Sequence, residues 1–430
     1  MEIVRQSPYL DFMHRTQLSK LARLVLLALV VLLGLCAAPA YAQTGNRGDL
    51  TDRLDAAGGR QFVPLERQRF YAAPTEGILG RWFPNIHGGE AVQLAYTYTG
   101  GAFNTSGGLQ SGNSYIGVAT MAITSDTDKL GLWKNGTFFV NSLFAHGDSP
   151  SRWVGDRQGV AAFDYGTPAQ VAEYWYEHKF GDRGFVKAGK IDAGGDFFYL
   201  DTTADFVHAS FSCIPTTRIP AAPDTAWGVA GLWHLTDQLC LNAGIFDGQG
   251  NADKFWMSET GKVYGAYQLE YHYSLFRRLP GLVFIGGWND NCDYPMQSDE
   301  QTGNGGISLG MEQALFCQRG GCGTSRELYV FANYGNARAD RSEITDYWSA
   351  GLLRRGIGSR SDDSLGMAVN YAYLSPQLAT QHSYESAFEV YYKCQLTPNC
   401  ALQPDLQYVA HPGGEERHAL VTGLVFQLVF

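Results

Sequence analysis

Ala419-Leu420-Val421-Thr422-Gly423-Leu424-Val425-Phe426-Gln427-Leu428-Val429-Phe430 closes the chain. Leu420, Leu424, Phe426, Leu428 and Phe430 share one parity, interrupted only by Thr422. Ala419, Val421, Gly423, Val425, Gln427 and Val429 share the other, which is smaller and more mixed. A period of two with one strongly apolar face is a strand packed against lipid or against a core. This run alone does not choose between the two.

The same period recurs upstream. Val92, Leu94, Tyr96 and Tyr98 alternate with Gln93, Ala95, Thr97 and Thr99. Leu269, Tyr271, Tyr273 and Leu275 alternate with Gln268, Glu270, His272 and Ser274, and Leu365, Met367, Val369, Tyr371 and Tyr373 with Gly366, Ala368, Asn370 and Ala372. Such strands build a membrane barrel with its apolar side outward or a soluble sandwich with its apolar side inward, and they differ only in where water lies. An aromatic residue ending the last strand is typical of bacterial outer-membrane barrels. Fifty-one glycines, 24 tyrosines, 24 phenylalanines and nine tryptophans suit tight turns and aromatic girdles. A secreted β-protein would share much of that composition.

The first 42 residues are addressing information. Arg15, Lys20 and Arg23 precede an apolar run from Leu24 to Leu35, and Ala40-Tyr41-Ala42 is a small-x-small cleavage site, so 1–42 reads as a signal peptide. The apolar run falls short of the roughly 20 residues that a spanning helix needs. No later segment fills that role, so any crossing of a membrane falls to strands. Asp49 to Gly58 reads as a short capped helix, which makes 43–89 a leader near the periplasmic mouth and 90–430 the barrel.

Two C-terminal segments carry a resemblance. Glu385-Ser386-Ala387-Phe388-Glu389-Val390-Tyr391-Tyr392 is followed by Gln403-Pro404-Asp405-Leu406-Gln407-Tyr408-Val409 and by His411-Pro412-Gly413-Gly414. In order and spacing they resemble the closing strands of the carbohydrate-selective outer-membrane porins, the OprB-like family. Glu173-Tyr174-Trp175-Tyr176-Glu177 with Phe185 to Asp192 resembles the paired strands of that family, and Pro215, Pro220 and Pro223 mark a Pro-rich stretch after Ser210-Phe211. Gly244 to Gly248, Gly351-Leu352 and Asp362 to Gly366 are similar as well. The resemblance spans about Leu50 to Phe430. It weakens at Ala252–Met257 and Asn291–Thr324, which are expected to be external loops. It implies an all-β transmembrane antiparallel barrel of sixteen strands, a number that about 10 residues per strand also allows.

A selective sugar pore needs carboxylates, amides and cations near aromatic platforms, because a sugar offers hydroxyls and apolar ring faces. Glu173, Trp175 and Glu177 form one row, Glu385, Glu389 and Lys393 a second, and Gln403, Asp405 and Gln407 a third. Lys190, Asp192, Glu270, Arg354 and Arg355 complete the expected lumen set, in which the bases keep the constriction near neutral. Glu389 or Asp405 is expected near the sugar path. The alternative is that these acids brace an inward-folded loop.

Seven cysteines follow the signal peptide, which suits an oxidising compartment. Cys317 with Cys322 and Cys394 with Cys400 are each close enough to staple a loop or hairpin, and neither spacing suits a metal. There is no G-x-S-x-G, H-E-x-x-H or P-loop, so no enzyme, metal or cofactor is expected. The expected function is passive diffusion of mono- or small oligosaccharides, with small sugars, outer-membrane lipid, the barrel-assembly machinery and a homo-oligomer among the expected partners, and no nucleic acid. The alternatives are a general or differently selective porin and a secreted carbohydrate-binding β-protein.

Overall fold

The computed structural model describes residues 91–248, 256–258, 260–276, 278–294, 301–318, 322 and 326–430. The expected signal peptide and helical leader lie outside them. From β1 (Val92–Gly107) the chain runs through β2 (Gly112–Asp126), β3 (Gly136–Gly147), β4 (Ala169–Lys179) and β5 (Gly184–Ile191). β6 (Ala226–His234), β7 (Leu239–Asp247), β8 (Val263–Leu275), β9 (Leu279–Tyr294) and β10 (Gln301–Cys317) follow. β11 (Glu327–Ala337), β12 (Ile344–Ile357), β13 (Arg360–Leu374), β14 (Tyr384–Thr397), β15 (Cys400–Ala410) and β16 (His418–Val429) complete the series.

Each strand pairs antiparallel with its sequence neighbours, and β1 pairs with β16 to close a sixteen-strand barrel. Closure leaves no unpaired edge, which a bilayer would penalise. Gly100 faces Phe426 and Tyr98 faces Leu428 across the seam, and the Phe430 amide donates to the Tyr96 carbonyl at 2.8 Å. The expected alternation appears as two surfaces. Leu241, Ile245, Tyr267, Leu269, Ile285, Leu365, Met367, Phe388, Leu420 and Leu424 are exposed on the outside. Their neighbours of opposite parity, among them Glu270, Ala368, Glu389 and Val421, are buried on the inside.

The two ends differ. β12–β13 and β14–β15 are joined by tight turns at the end where β16 terminates, whereas residues 148–168 and 192–225 form long connections at the other. Short turns are periplasmic and long connections extracellular in barrels of this kind. The stretch Asn291–Thr324 corrects an expectation. Most of it is the end of β9 and the length of β10, because Ile307 and Leu309 alternate outward against Ser308 and Gly310. Cys317 and Cys322 are joined by a disulfide at the β10–β11 turn, with Cα atoms 5.1 Å apart.

Cys394 and Cys400 are unbonded, which corrects the second expected bridge. The register sets Cys394 opposite Leu402 and Cys400 opposite Thr397, with a bulge between Gln395 and Thr397. The two thiols therefore stand diagonally along the hairpin, not face to face.

Candidate functional site

The lumen is narrowed by the two long connections, which fold inward instead of outward. Residues 192–225 carry Phe197, Phe198, Leu200, Phe206, Phe211 and Ile214, all buried. They pack on rings that the strands project inward: Phe197 on Phe246 at 6.0 Å, Phe198 on Phe284 at 6.4 Å and Phe206 on Phe331 at 5.5 Å. Burial of such aromatics is what draws a polar, Pro-rich connection into the barrel. Residues 148–168 place Val154, Val160 and Ala161 against Phe103, Ile116, Val409 and Val421. Hydrogen bonds from the Ala162 amide to the Val207 carbonyl (2.7 Å) and from the Ala209 amide to the Gly159 carbonyl (2.9 Å) join the two segments.

The infolded backbone brings amides that no ladder satisfies, and polar wall residues take them up. Glu389 accepts from the Val207 and His208 amides at 2.7 and 2.9 Å. Glu385 accepts from the amides of Arg157 (2.9 Å), Gln158 (3.1 Å) and Gly413 (2.6 Å), and so ties three stretches together. Glu173 accepts from the Asp192 amide at 3.2 Å, and Gln268 from the Phe198 amide at 2.6 Å. Glu312 accepts from the Thr202 amide at 3.0 Å. Gln403 donates to the Asp205 carbonyl at 2.7 Å, while Gln407 donates to the Val160 carbonyl at 3.0 Å and to Asp405 at 2.9 Å. Glu385, Glu389 and Gln407 are each 0% exposed.

This geometry answers the question left open at Glu389 and Asp405. Both face inward as expected, yet Glu389 is sealed beneath the segment that it holds and Asp405 is 5% exposed. They brace the connection and do not line an open path. Glu270 is also inward and fully buried, with Gln268 donating to it at 2.7 Å and His272 3.2 Å away.

Two polar clusters stand on opposite walls, since β4 and β12 are eight places apart in a ring of sixteen. On one wall Trp175 stacks on Phe139 at 4.8 Å, and the Lys187 ammonium lies 5.3 Å from its ring and pairs with Asp196. Glu173 and Glu177 flank Trp175, and Asp192 accepts from the Gly194 amide at 2.9 Å. On the other wall Arg355 lies 3.6 Å from Glu327 and over the Tyr329 ring, and Lys393 pairs with Asp205 at 2.7 Å. Burial acts to raise the Asp205 carboxyl, but the Lys393 ammonium and its hydrogen bond outweigh that and hold it below the usual range.

Two expected lumen residues are placed elsewhere. Lys190 pairs with Tyr174 and Trp227, which share the outward parity of Val186 and Val229, so Lys190 takes the outward parity of its strand, with its side chain buried at 2% exposure. Arg354 has the parity of exposed Leu352, and its guanidinium lies 5.5 Å from the Phe316 ring. Neighbouring residues of a strand face opposite sides, so Arg354 and Arg355 cannot both reach the lumen. Lys187, Asp196, Asp205, Gln268 and Glu312 were missed from the sequence. Lys187 was findable as the basic residue in register with Glu177. The two aspartates belong to a connection without period and gave no signal.

A protein-family model described as "Carbohydrate-selective porin, OprB family" matches residues 110–430. The fold is similar to that of OprB from Pseudomonas putida at high pH, with a TM-score of 0.74 and 19% identity over 84% of this chain and 99% of that one. The low-pH structure of the same protein gives a TM-score of 0.57 and 17% identity over 84% and 100%. No curated protein sequence matches the chain.

Proposed function

The chain belongs to the carbohydrate-selective porin family, OprB, and from that premise we propose that it passes mono- and small oligosaccharides by passive diffusion along the gap between its two lumen clusters. It is a sixteen-strand outer-membrane porin, and its family consists of channels, not enzymes. The observation that carries the proposal is the pairing of charge inside the barrel. Lys187 with Asp196, Arg355 with Glu327 and Lys393 with Asp205 keep the walls polar but locally neutral. Paired groups still offer lone pairs and N–H donors to hydroxyls, while they attract simple ions weakly.

Liposome swelling with matched sugars, amino acids and salts tests this reading. Monosaccharides should enter faster than salts or amino acids of similar size. Equal rates for all three would make the channel a general porin.

On the same reading, residues 1–42 are removed on export, 43–89 lie at the periplasmic mouth, and Phe430 is the signal that the barrel-assembly machinery reads. Deleting Phe430 should reduce the outer-membrane fraction severalfold while leaving secretion intact. Unchanged insertion of the shortened chain would remove support for the role of that residue.

A further inference from the structure

Arg218 stands apart from the paired bases of the lumen. It lies on the returning half of the 192–225 connection, between buried Thr217 and Ile219. The Thr217 carbonyl accepts from the Tyr264 phenol at 2.7 Å, and the Pro220 carbonyl accepts from the Ala193 amide at 2.9 Å, so the backbone is pinned on both sides. Arg218 takes a left-handed φ of 46°, and its side chain is exposed where its two neighbours are not. Its guanidinium carbon lies 4.5 Å from the ring centroid of Tyr294, whose hydroxyl donates to Asp290.

Among the described residues no carboxylate pairs with Arg218 and no carbonyl accepts from it. Lys187, Arg355 and Lys393 are by contrast committed to acids. A non-glycine residue in the left-handed region is strained and is kept where the surroundings enforce it. Stacking on a ring uses the flat side of a guanidinium but leaves its in-plane N–H groups free. Five donors on a rigid fork, with no acceptor among the described residues, are prepared for the oxygen atoms of a solute.

We propose that Arg218 and Tyr294 form a sugar subsite at the extracellular end of the lumen, where the guanidinium edge donates to adjacent hydroxyls of a neutral pyranose. The position follows from the strands, because Tyr264 opens β8 and Tyr294 closes β9, both at the end that carries the long connections. The preference for a neutral solute follows from Asp290, which sits behind Tyr294 and disfavours an added anion. The proposal rests on the porin reading and adds to it the residue that first engages the sugar.

The test uses the full barrel in planar bilayers, with glucose-dependent block of the salt current as the readout. Arg218→Ala should raise the half-saturating glucose concentration about tenfold, the size expected for loss of a charge-assisted hydrogen bond, with salt conductance within about twofold. Arg218→Lys keeps the charge without the fork and should fall between the two. Arg218 is exposed, so both variants should keep the heat-modifiable mobility of the folded barrel. If glucose blocks the wild-type channel and both variants equally, the subsite is refuted and the porin reading stands. A change in anion-to-cation permeability with no change in glucose block would make Arg218 a wall charge and also refute it. If glucose neither enters liposomes nor blocks the wild-type channel, the porin reading itself falls.

Discussion

Glu389→Ala should open the channel. In the native barrel this fully buried carboxylate accepts from the Val207 and His208 amides, and nothing else in the described structure takes its place. Truncation leaves two buried donors unsatisfied, at about 1–3 kcal/mol each. The 192–225 connection then gains by moving toward water. Single-channel conductance should rise severalfold, sugar selectivity over salts should fall, and the temperature of the folded-to-unfolded gel shift should drop. Glu389→Gln keeps one acceptor oxygen in nearly the same volume and should show a smaller change in all three. Glu385→Ala should repeat the pattern through the 148–168 connection, since Glu385 holds Arg157, Gln158 and Gly413. Direct contact with passing sugar would give a different signature, reduced sugar flux at unchanged conductance and stability. That result would return Glu389 to the permeation path.

The second large effect concerns the glycines of the inner wall. Phe331 of β11 lays its ring over Gly351 of β12, and a Cβ on Gly351 would lie 2.5 and 2.6 Å from two ring carbons and 2.7 Å from the Met367 carbonyl oxygen. The ring is 0% exposed and packs on Phe206, and the oxygen belongs to the ladder, so neither can give way cheaply. Gly351→Val should cost about 1–3 kcal/mol by overpacking. Phe206 adjoins the stretch that Glu389 latches, so displacing Phe331 should also make the open current noisier. Measuring the thermal gel shift and single-channel noise of Gly351→Val and Gly351→Ala checks this, with valine the worse of the two. Wild-type behaviour of both would show that the ring has room which its packing does not reveal. The contact also accounts for part of the high glycine content, since bulky rings on one strand need a flat neighbour on the next.

The alternation of side chains determined the strands and their two faces from the sequence alone. It follows from backbone geometry alone, so it places Leu420 and Leu424 on one face and Val421 and Val425 on the other whatever the register. The closing strand, the C-terminal aromatic residue and the Gln403–Val409 segment were enough to indicate the family. The rows through Glu173, Glu385 and Gln403 were legible as inward rows for the same reason.

Their task was not legible. Whether a lumen carboxylate meets solute or backbone depends on what lies over it, and at Glu389 that is Val207, far away in sequence. Connection 192–225 has no period to announce its path, and only the aromatic packing inside the closed barrel draws it inward. Tertiary structure also decided which member of each basic pair takes the lumen parity, since Lys187 and Arg355 share it while Lys190 and Arg354 take the opposite one. Alternation states that neighbours differ, but only the register against β4 and β11 sets the phase. Arg218 was invisible for a related reason. A base without an acid partner among the described residues can be recognised only from the fold.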